Sequence, residues 1–369
     1  MTSLETAAQK AQISLDTIAY PTYGFGDPNP VVEMGKIYPY FSFDGYEKKA
    51  SSEDWEVIVL ENNYIRVLIA PAIGGKILGA IEKSSGGEFL YYNKVVKFRK
   101  IAMRGPWTSG GLEFNFGTIG HTPNVSTPVD YFIRTNEDGS VSCFIGAMDL
   151  QPRTHWMVEV RLPKDKALFE VRSSWHNPSP LETSLYHWTN AAAEATSDLR
   201  FYYPGNFQMD HSGNVFPYPV NKDGIDMSRY ANNTFGRDKS YHVVGKYADF
   251  FGGYYEDIDF GFVHWGDYLE KPGRKLWMWA TSRQGEIWVD LLTDTIYGNK
   301  QYIEYQNGVL FNQAGSGSTN SPFKHLAFKP NSTGDYTEAF FPVLNTGGIS
   351  YANEWGSLNA WQQEDRLLA

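Results

Sequence analysis

The chain has 369 residues and a formal net charge of −10, from 42 acidic and 32 basic residues. It contains no long run of Lys or Arg, which argues against the clustered cations that binding to a nucleic-acid backbone requires. Its one cysteine, Cys143, excludes an intramolecular disulfide and leaves too few ligands for a cysteine zinc site. Aromatic residues make up 16% of the chain, which is typical of a β-rich core or of a cleft whose rings stack on sugars.

The first residues, MTSLETAAQKAQISLDTIAY, lack the basic and apolar regions of a secretory signal, and no run of about 18 apolar residues follows. We therefore expect no membrane partner and, by default, a cytoplasmic location, with a removed leader as the open alternative. Pro and Gly interrupt YPTYGFGDPNPVVEMGKIYPY so often that residues 1–50 are predicted to form an arm packed on the body. Residues 51–369 are predicted to form a single domain, because an all-β protein can use this length in one unit.

From Trp55 onwards, short runs of β-branched and aromatic residues predict antiparallel strands. WEVIVLENNYIRVLIAPAIGGKILGAIEK predicts a three-stranded meander, and YTEAFFPVL predicts a single strand. Hairpins are predicted for VDYFIRTNEDGSVSCFIGAMD, for HWMVEVRLPKDKALFEVRSSWHNPS, and for KLWMWATSRQGEIWVDLLTD with RQGE as its turn. Helices are predicted only for residues 2–12, part of 190–199 and a piece near 354–366. Since strands and helices do not alternate, we expect an all-β fold, a large antiparallel β-sandwich with few short helices.

Metal and cofactor motifs are missing from the sequence. No two histidines have the spacing of HExxH or of another short metal-ligand motif, and neither a Walker loop nor a GxGxxG turn is present. The eight histidines are His121, His155, His176, His187, His211, His242, His264 and His325. We expect neither a metal nor an organic cofactor.

Histidines paired with carboxylates are the remaining candidates for chemistry, because such pairs perform general acid–base work near neutral pH. Three segments supply them. RGPWTSGGLEFNFGTIGHTP contains Glu113 and His121, SLYHWTNAAAE contains His187 and Glu194, and QYIEYQNGVLFNQAG contains Glu304. Each carboxylate or imidazole also has a structural interpretation, as a solvated strand residue or a hydrogen-bonded core residue.

Strand alternation predicts the faces of these side chains. In GLEFNFG, Glu113 and Asn115 would share one face while Leu112, Phe114 and Phe116 fill the other. In SLYHWTN, the rings on either side of the histidine would point away from it.

The last segment places its carboxylate close to a predicted turn. Tyr302 and Glu304 would share one face and Ile303 and Tyr305 the other, two residues before a turn at Asn307-Gly308. Glu304 would then lie at a sheet edge.

In this order the segments resemble the aldose 1-epimerase (galactose mutarotase) superfamily over about residues 55–345. IAPAIGGKILGAIEKSSGGEFLYYN is similar to its N-terminal meander, SLYHWTN to its strand with the acid histidine, and YIEYQNG to its strand with the base glutamate. RGPWTSGGLEFNFGTIGHTP and the segment Phe323-Lys324-His325 more closely resemble a bacterial family of unknown function in this superfamily, often fused to tetratricopeptide repeats. The resemblance implies a galactose mutarotase-like supersandwich that binds a mono- or oligosaccharide.

The resemblance also implies roles. Glu304 would take the proton of the anomeric hydroxyl and His187 would protonate the ring oxygen, so that ring opening, rotation and reclosure exchange the anomers without a cofactor. His121 would hydrogen-bond the sugar and help polarise the ring oxygen. The remaining sugar-binding candidates are Arg104, Trp107, Asn115, Trp188 and, by a poorer local match, Asp249.

Glu113 departs from the superfamily pattern, which usually has Pro or another neutral residue there. Paired carboxyl groups cleave glycosidic bonds, so a glycoside hydrolase using Glu113 and Glu304 is the alternative. Trp107 and Trp188 would suit an oligosaccharide, and the lack of an Arg cluster disfavours a sugar phosphate, although Arg104 would accommodate one anionic group. A third possibility is a non-catalytic carbohydrate-binding module, which would be favoured if Glu304 or His187 faced the core.

Overall fold

The computed structural model describes residues 10–31, 43–101, 105–117, 120–150, 152–234, 236–311, 326–363 and 366–368. The strands are β1 (Gln12–Tyr23), β2 (Ser51–Glu61), β3 (Ile65–Ala70), β4 (Lys76–Glu82), β5 (Glu88–Leu90), β6 (Val96–Lys97), β7 (Arg99–Lys100), β8 (Pro106–Trp107), β9 (Leu112–Gly117), β10 (Asp130–Thr135), β11 (Val141–Asp149), β12 (Thr154–Leu162), β13 (Phe169–Asn177), β14 (Thr183–Ser184), β15 (Tyr186–Glu194), β16 (Leu199–Tyr202), β17 (Phe207–Met209), β18 (Val215–Pro217), β19 (Asp238–Val244), β20 (Phe250–Tyr255), β21 (Phe260–Gly266), β22 (Gly273–Trp279), β23 (Tyr302–Gly308), β24 (Ala327–Phe328), β25 (Ser332–Leu344), β26 (Tyr351–Asn353), β27 (Gly356–Leu358), β28 (Trp361–Gln363) and β29 (Arg366–Leu368). Within these ranges there is one α-helix, α1 (Arg283–Leu292), and there are short 3-10 turns at Pro71–Ile73, Pro123–Ser126, Tyr230–Asn232 and Thr295–Tyr297.

Two large sheets make up the body. In the described ranges the first has 13 strands, in the order β18-β17-β19-β22-β23-β15-β9-β4-β3-β2-β1-β6, with β5 beside β4. The second has eight strands, in the order β10-β11-β12-β13-β25-β21-β20-β16. The pairs are antiparallel, apart from the parallel contact of β1 with β6. The sandwich expected from the sequence is therefore confirmed.

The core lies between the two sheets. Phe116 of β9 stacks on Trp156 of β12 at 5.1 Å, and Tyr305 of β23 contacts Phe262 of β21 at 4.7 Å between ring centroids. These rings belong to one buried cluster that draws on both sheets. Large rings suit this position because each removes an extensive apolar area from water.

The short-range predictions of strands are confirmed for much of the chain. The meander from Trp55 forms β2, β3 and β4, the two hairpins through residues 130–149 and 154–177 form as β10–β11 and β12–β13, and YTEAFFPVL lies in β25. Each of these segments combines alternating apolar and polar residues with a local turn signal. Such a pattern predicts strands and hairpins from neighbouring residues alone.

Three predictions of local structure are wrong. RQGE is not a hairpin turn but the start of α1, because the Ser282 hydroxyl caps the helix by accepting a hydrogen bond from the Gly285 amide and Glu286 lies in its first turn. The helix predicted within 190–199 is excluded because residues up to Glu194 belong to β15, whose neighbours β9 and β23 determine its conformation. Strands β27 and β28 lie within the helix predicted near 354–366, and none of its described residues is helical.

Only part of the predicted N-terminal helix falls on residues that the structure describes. Residues 2–9 of the predicted helix 2–12 lie outside the described residues, and Gln12 already begins β1. This strand pairs with β2 from Gln12 to Thr22, so a long regular element lies within the segment predicted as an arm. The division into an arm of residues 1–50 and a domain of residues 51–369 stays a prediction.

Candidate functional site

Strand register brings four of the candidate side chains, those of Glu113, Asn115, Trp188 and Glu304, onto one face of the large sheet, away from the core. Three neighbouring rows cross the central strands on this face. The first row contains Asn115, Trp188, Gly308 and Gly273; the second, called the polar row below, contains Glu113, Asn190, Gln306, Lys275 and His242; the third contains Ala192, Glu304, Trp277 and Ser240. Residues directly opposite in neighbouring strands share a face, so the rows form one continuous surface.

A cleft of about 290 Å³ opens over this surface. Tryptophan rings and polar side chains line it together, which is the usual lining of a small-molecule site. Its lining residues are Ile101, Trp107, His121, Trp188, His211, Asp238, Ser240, Lys275, Trp277, Trp279, Leu292, Tyr302, Glu304 and Gln306.

Two left-handed glycines allow β9 to enter this sheet. Gly110 and Gly111, with φ of 80° and 66°, immediately precede the strand. A Cβ atom on Gly111 would lie 2.0 Å from the carbonyl oxygen of Ile77 in β4, so the close approach of the two strands requires glycine. This turn places Glu113 behind His121, which lines the cleft.

The Glu113 carboxylate is buried, with 2% of the residue exposed, and protein groups occupy both of its oxygens. Trp107 Nε1 donates to Oε2 at 2.6 Å, while Asn115 Nδ2 donates to Oε1 at 3.0 Å. His121 Nδ1 also donates to Oε1, and Lys76 Nζ lies 4.0 Å from Oε2. Glu113 is therefore the centre of a structural network beneath the cleft wall.

His121 is held in position by this network and by two rings. Its imidazole lies 5.4 Å from the Trp107 ring and 5.0 Å from the Trp188 ring, between centroids. Because Nδ1 bonds Glu113, the other ring nitrogen, Nε2, is left for a ligand in the cleft that His121 lines. A carboxylate behind an imidazole fixes its tautomer and ring orientation.

Glu304 lies on β23, an interior strand between β22 and β15, and 7% of the residue is exposed. The sequence correctly predicted its face, shared with Tyr302 and opposite Ile303 and Tyr305. The predicted turn and edge position are wrong: Asn307 and Gly308 continue the ladder to both neighbouring strands. An NG pair signals a hairpin only when the chain can reverse there, and here the adjacent strands extend the sheet instead.

The two carboxylates differ in the direction of their pKa shifts. Burial alone would raise the pKa of Glu113, but the charge and hydrogen bond of His121, then Lys76 and Asn115, lower it to about 2. Burial raises the pKa of Glu304, the Glu113 charge adds to the rise, and His121, Lys275 and the 2.7 Å hydrogen bond from Gln306 oppose it. Glu113 thus stays ionised, while Glu304 titrates closer to neutrality.

The structure places His187 on the other face of the sheet from Glu304. Its ring is buried in the core, with 1% of the residue exposed, and stacks on Phe116 at 4.2 Å between centroids. Nδ1 donates to the Asn115 carbonyl at 2.9 Å, and Nε2 lies 3.4 Å from Lys271 Nζ. Burial and the Lys271 charge lower its pKa well below the ordinary value. The strand face follows the predicted alternation, but the cleft lies on the side of Trp188.

The other predicted ligands divide between the cleft, its floor and positions outside it. Trp107 and Trp188 line the cleft, whereas Asn115 is fully buried and its Oδ1 accepts from the Thr122 amide at 3.0 Å. Asp249 is exposed, lies outside the cleft lining and accepts from the Tyr268 amide at 2.9 Å. Arg104 lies outside the described residues, as do residues 323–325.

Sequence reasoning missed Lys275, Trp277 and His211, all of which line the cleft. A signal for two of them is present in GRKLWMW. Gly273, Lys275 and Trp277 alternate with Arg274 and more apolar residues, so an ammonium and an indole share one strand face. The site of His211, in a loop after β17, has no comparable local pattern.

Within the described ranges, no three His, Cys, Asp or Glu side chains gather as metal ligands. The same part of the chain contains no helix that is both long and apolar enough to cross a membrane.

Solved structures define the fold class. A tetratricopeptide-repeat-domain-containing protein from Parabacteroides distasonis matches 97% of this chain and 58% of its own, with a TM-score of 0.79 and 22% identity. A galactose mutarotase-like protein from Clostridium acetobutylicum matches 79% of this chain and 96% of its own, with a TM-score of 0.55 and 12% identity. A galactose mutarotase-like protein from Lactobacillus casei matches 78% of this chain and 100% of its own, with a TM-score of 0.51 and 10% identity. The fold is therefore that of the galactose mutarotase-like β-sandwiches, and the chain spans little more than half the length of the repeat protein.

The family is more specific than the fold. Residues 32–343 match the model of a family described as "Domain of unknown function (DUF5107)", which covers most of the chain. The chain belongs to this family.

Proposed function

We propose that the protein is a sugar-active enzyme that exchanges the anomers of an aldose, with Glu304 as general base and His121 as general acid. The observation that carries the proposal is that both groups line one tryptophan-rich cleft, while Glu113 orients the imidazole from behind. A carboxylate and an imidazole can move the two protons of a hemiacetal without a cofactor.

The proposed reaction begins when Glu304 accepts the proton of the anomeric hydroxyl. As the bond between the anomeric carbon and the ring oxygen breaks, His121 Nε2 donates a proton to that oxygen, giving the open-chain aldehyde. Rotation about the first carbon–carbon bond presents the other face of the aldehyde, and the two proton transfers reverse on reclosure. The raised pKa of Glu304 suits the base, because efficient proton transfer needs a pKa near the working pH.

Glu113 supports this assignment over glycoside hydrolysis. A hydrolase would need its carboxyl to give a proton or attack the anomeric carbon. Trp107, Asn115 and His121 occupy its oxygens, and its low pKa keeps it ionised. In our proposal Glu113 is a positioning residue for His121.

The indoles of Trp107, Trp188, Trp277 and Trp279 give the cleft flat apolar surfaces beside its polar groups. Such surfaces suit the C–H faces of a sugar ring. A second candidate, binding without catalysis, is favoured by one observation, the core position of His187. The experiment below separates the two candidates.

Proton NMR on freshly dissolved α-glucose, α-galactose and a panel of disaccharides would follow anomer exchange and bond cleavage together. We expect the wild-type protein to accelerate exchange, and Glu304→Gln to slow its turnover about 10²–10⁴-fold, the usual contribution of a general base. Glu286→Gln, on the exposed face of α1, is the matched control and should change nothing. Exchange that survives Glu304→Gln would refute the assignment, cleavage lost in both Glu304→Gln and Glu113→Gln would establish the hydrolase, and sugar binding without either reaction would leave the binding module.

The pH profile tests the same base. Glu304 is active when ionised, so the rate should fall as pH falls through its pKa. Because burial raises that pKa above its ordinary value of 4.5, the midpoint of the acid limb should lie above 4.5. A rate that stays constant down to pH 4 would contradict Glu304 as the base.

A further inference from the structure

Lys275 lies in the polar row, one step along β22 from the row that contains Glu304. Its cross-strand partner is Gln306, while Trp277 is the partner of Glu304. Residues two apart on a strand are about 7 Å apart along it. This spacing is comparable with the span of a pyranose ring from its anomeric hydroxyl to a substituent on the opposite side.

The Lys275 ammonium is almost buried and has no counter-ion among the described residues. The residue is 8% exposed, and Nζ lies 5.8 Å from the centroid of the Trp188 ring. No described carboxylate lies within 4.0 Å of it, whereas Lys76 faces Glu113 and Lys271 contacts Glu338. A nearly buried cation without a hydrogen-bonded partner costs free energy that an anionic ligand would offset.

A small recess beside Lys275 limits the size of such a ligand group. Its volume is about 20 Å³, enough for one or two atoms the size of a water molecule. Gly273 and Gly308 face each other there and contribute no side chains, and a Cβ on Gly308 would lie 3.0 Å from Cβ of Trp188. His242 also lines the recess, and its buried Nδ1 has no hydrogen-bond partner among the described residues.

We propose that the sugar bound in this cleft carries a carboxylate, as a uronic acid does, and that Lys275 binds this carboxylate while the anomeric carbon lies between Glu304 and His121. The assignment rests on the proposed function for the position of the anomeric carbon. The two oxygens of a carboxylate match the small volume of the recess, and Gln306 supplies an amide beside it. A tetrahedral phosphate has more oxygen atoms than the recess accommodates.

The charge state of Lys275 is consistent with this role. Burial lowers its pKa to about 8, and the Glu304 charge opposes the shift. The ammonium is therefore mostly protonated at pH 7 and loses its charge as pH rises above 8.

Calorimetric titration at pH 7 with glucose, glucuronate and glucose 6-phosphate, and with galactose and galacturonate, tests the proposal through binding alone. We expect at least one uronate to bind wild type about tenfold or more tightly than its neutral sugar. Lys275→Met should abolish this preference, and Lys275→Arg should retain it. Lys246→Met, at an exposed lysine, is the matched control.

A wild-type protein that binds neutral sugars as tightly as uronates would overturn the proposal, as would a preference that survives Lys275→Met. Tighter binding of the phosphate than of the uronate would overturn the carboxylate assignment. If Lys275→Met does not fold, Gly308→Ala keeps the charge but narrows the recess, and it should reduce uronate affinity by itself. Uronate binding that depends on Lys275 but leads to no anomer exchange would refute the proposed function and leave this site intact.

Discussion

The two faces of the central strands carry two buried clusters built from the same kinds of side chain. On the core face, Glu338 accepts from Lys271 at 2.7 Å and contacts His264 at 2.7 Å, while Thr189 and Asn307 donate to it at 2.9 and 3.2 Å. On the cleft face, the carboxylate of Glu304 has one hydrogen-bonding side chain among the described residues, Gln306, and borders an open volume of about 290 Å³.

The comparison separates stabilisation from ligand binding. Neighbouring charges shift the pKa of Glu338 far below its usual range although burial opposes this, so this carboxylate has its full set of partners as folded. Glu304 and Lys275 instead lack strong protein partners among the described residues, and their cavity is the place where a ligand would provide them. A buried charge with a full set of partners indicates structure, whereas an incomplete set beside a cavity indicates a site.

The largest expected effect is on the cleft face. His121→Asn removes the proposed acid, so turnover in anomer exchange should fall about 10²–10⁴-fold. NMR line-shape or exchange measurements on the sugar substrate would quantify it. His155→Asn, at an exposed histidine on β12, is the control and should retain full activity. Unchanged turnover in His121→Asn would mean that His121 is not the acid and that the cleft face has no catalytic role through it.

The next effect is on the core face. Glu338→Gln leaves Lys271 buried without its counter-charge, and breaking such a pair from one side costs about 3–5 kcal/mol of unfolding free energy. Urea denaturation would measure the loss. The double variant Glu338→Gln/Lys271→Met should recover part of it, because no unpaired charge then remains. A loss below about 1 kcal/mol in the single variant would show that the core cluster is not the structural one.

Sequence patterns gave the face of each side chain but not the direction in which the cleft lies. Alternation placed Glu113 with Asn115 and separated His187 from Trp188, and these relations hold. Which face is the core depends on the packing of β12 and β25 from the second sheet, a long-range contact that local periodicity does not contain. The resemblance assigned His187 to the sugar, whereas Phe116 and Lys271 surround it in the core.

Sequence patterns revealed the partners of Glu113 only in part. Trp107 and His121 lie six and eight residues away along the chain, but Lys76 comes from β4 through the register of the sheet. The sequence therefore predicted which polar groups gather and left open whether they bind a ligand or each other. For Glu113 the structure shows that they bind each other.

His187 is an intermediate case, because it lies on the core face of β15 while its neighbour Trp188 lines the cleft. His187→Gln should lower the unfolding free energy by about 1–3 kcal/mol, because it disturbs a buried hydrogen bond to Asn115 and removes the stacking on Phe116. Turnover at saturating sugar should change less than about threefold. Chemical denaturation would measure the unfolding free energy, and NMR on the sugar would measure the turnover. A fall in turnover as large as that expected for His121→Asn, with stability unchanged, would mean that His187 acts on the reacting sugar.

The smallest effect is expected at Asp249, which belongs to neither cluster. Its side chain is exposed and accepts one hydrogen bond from the Tyr268 amide, while its own carbonyl accepts from the Gly266 amide. Asp249→Ala removes this side-chain bond and the charge that interacts with Arg274, so the unfolding free energy should fall by about 0.5–1.5 kcal/mol. Anomer exchange should stay within about twofold of wild type, since Asp249 is not part of the cleft lining. A tenfold or greater rise in KM with unchanged stability would mean that the loop carrying Asp249 reaches the bound sugar, and the ligand-binding surface would then extend beyond the rows of the central strands.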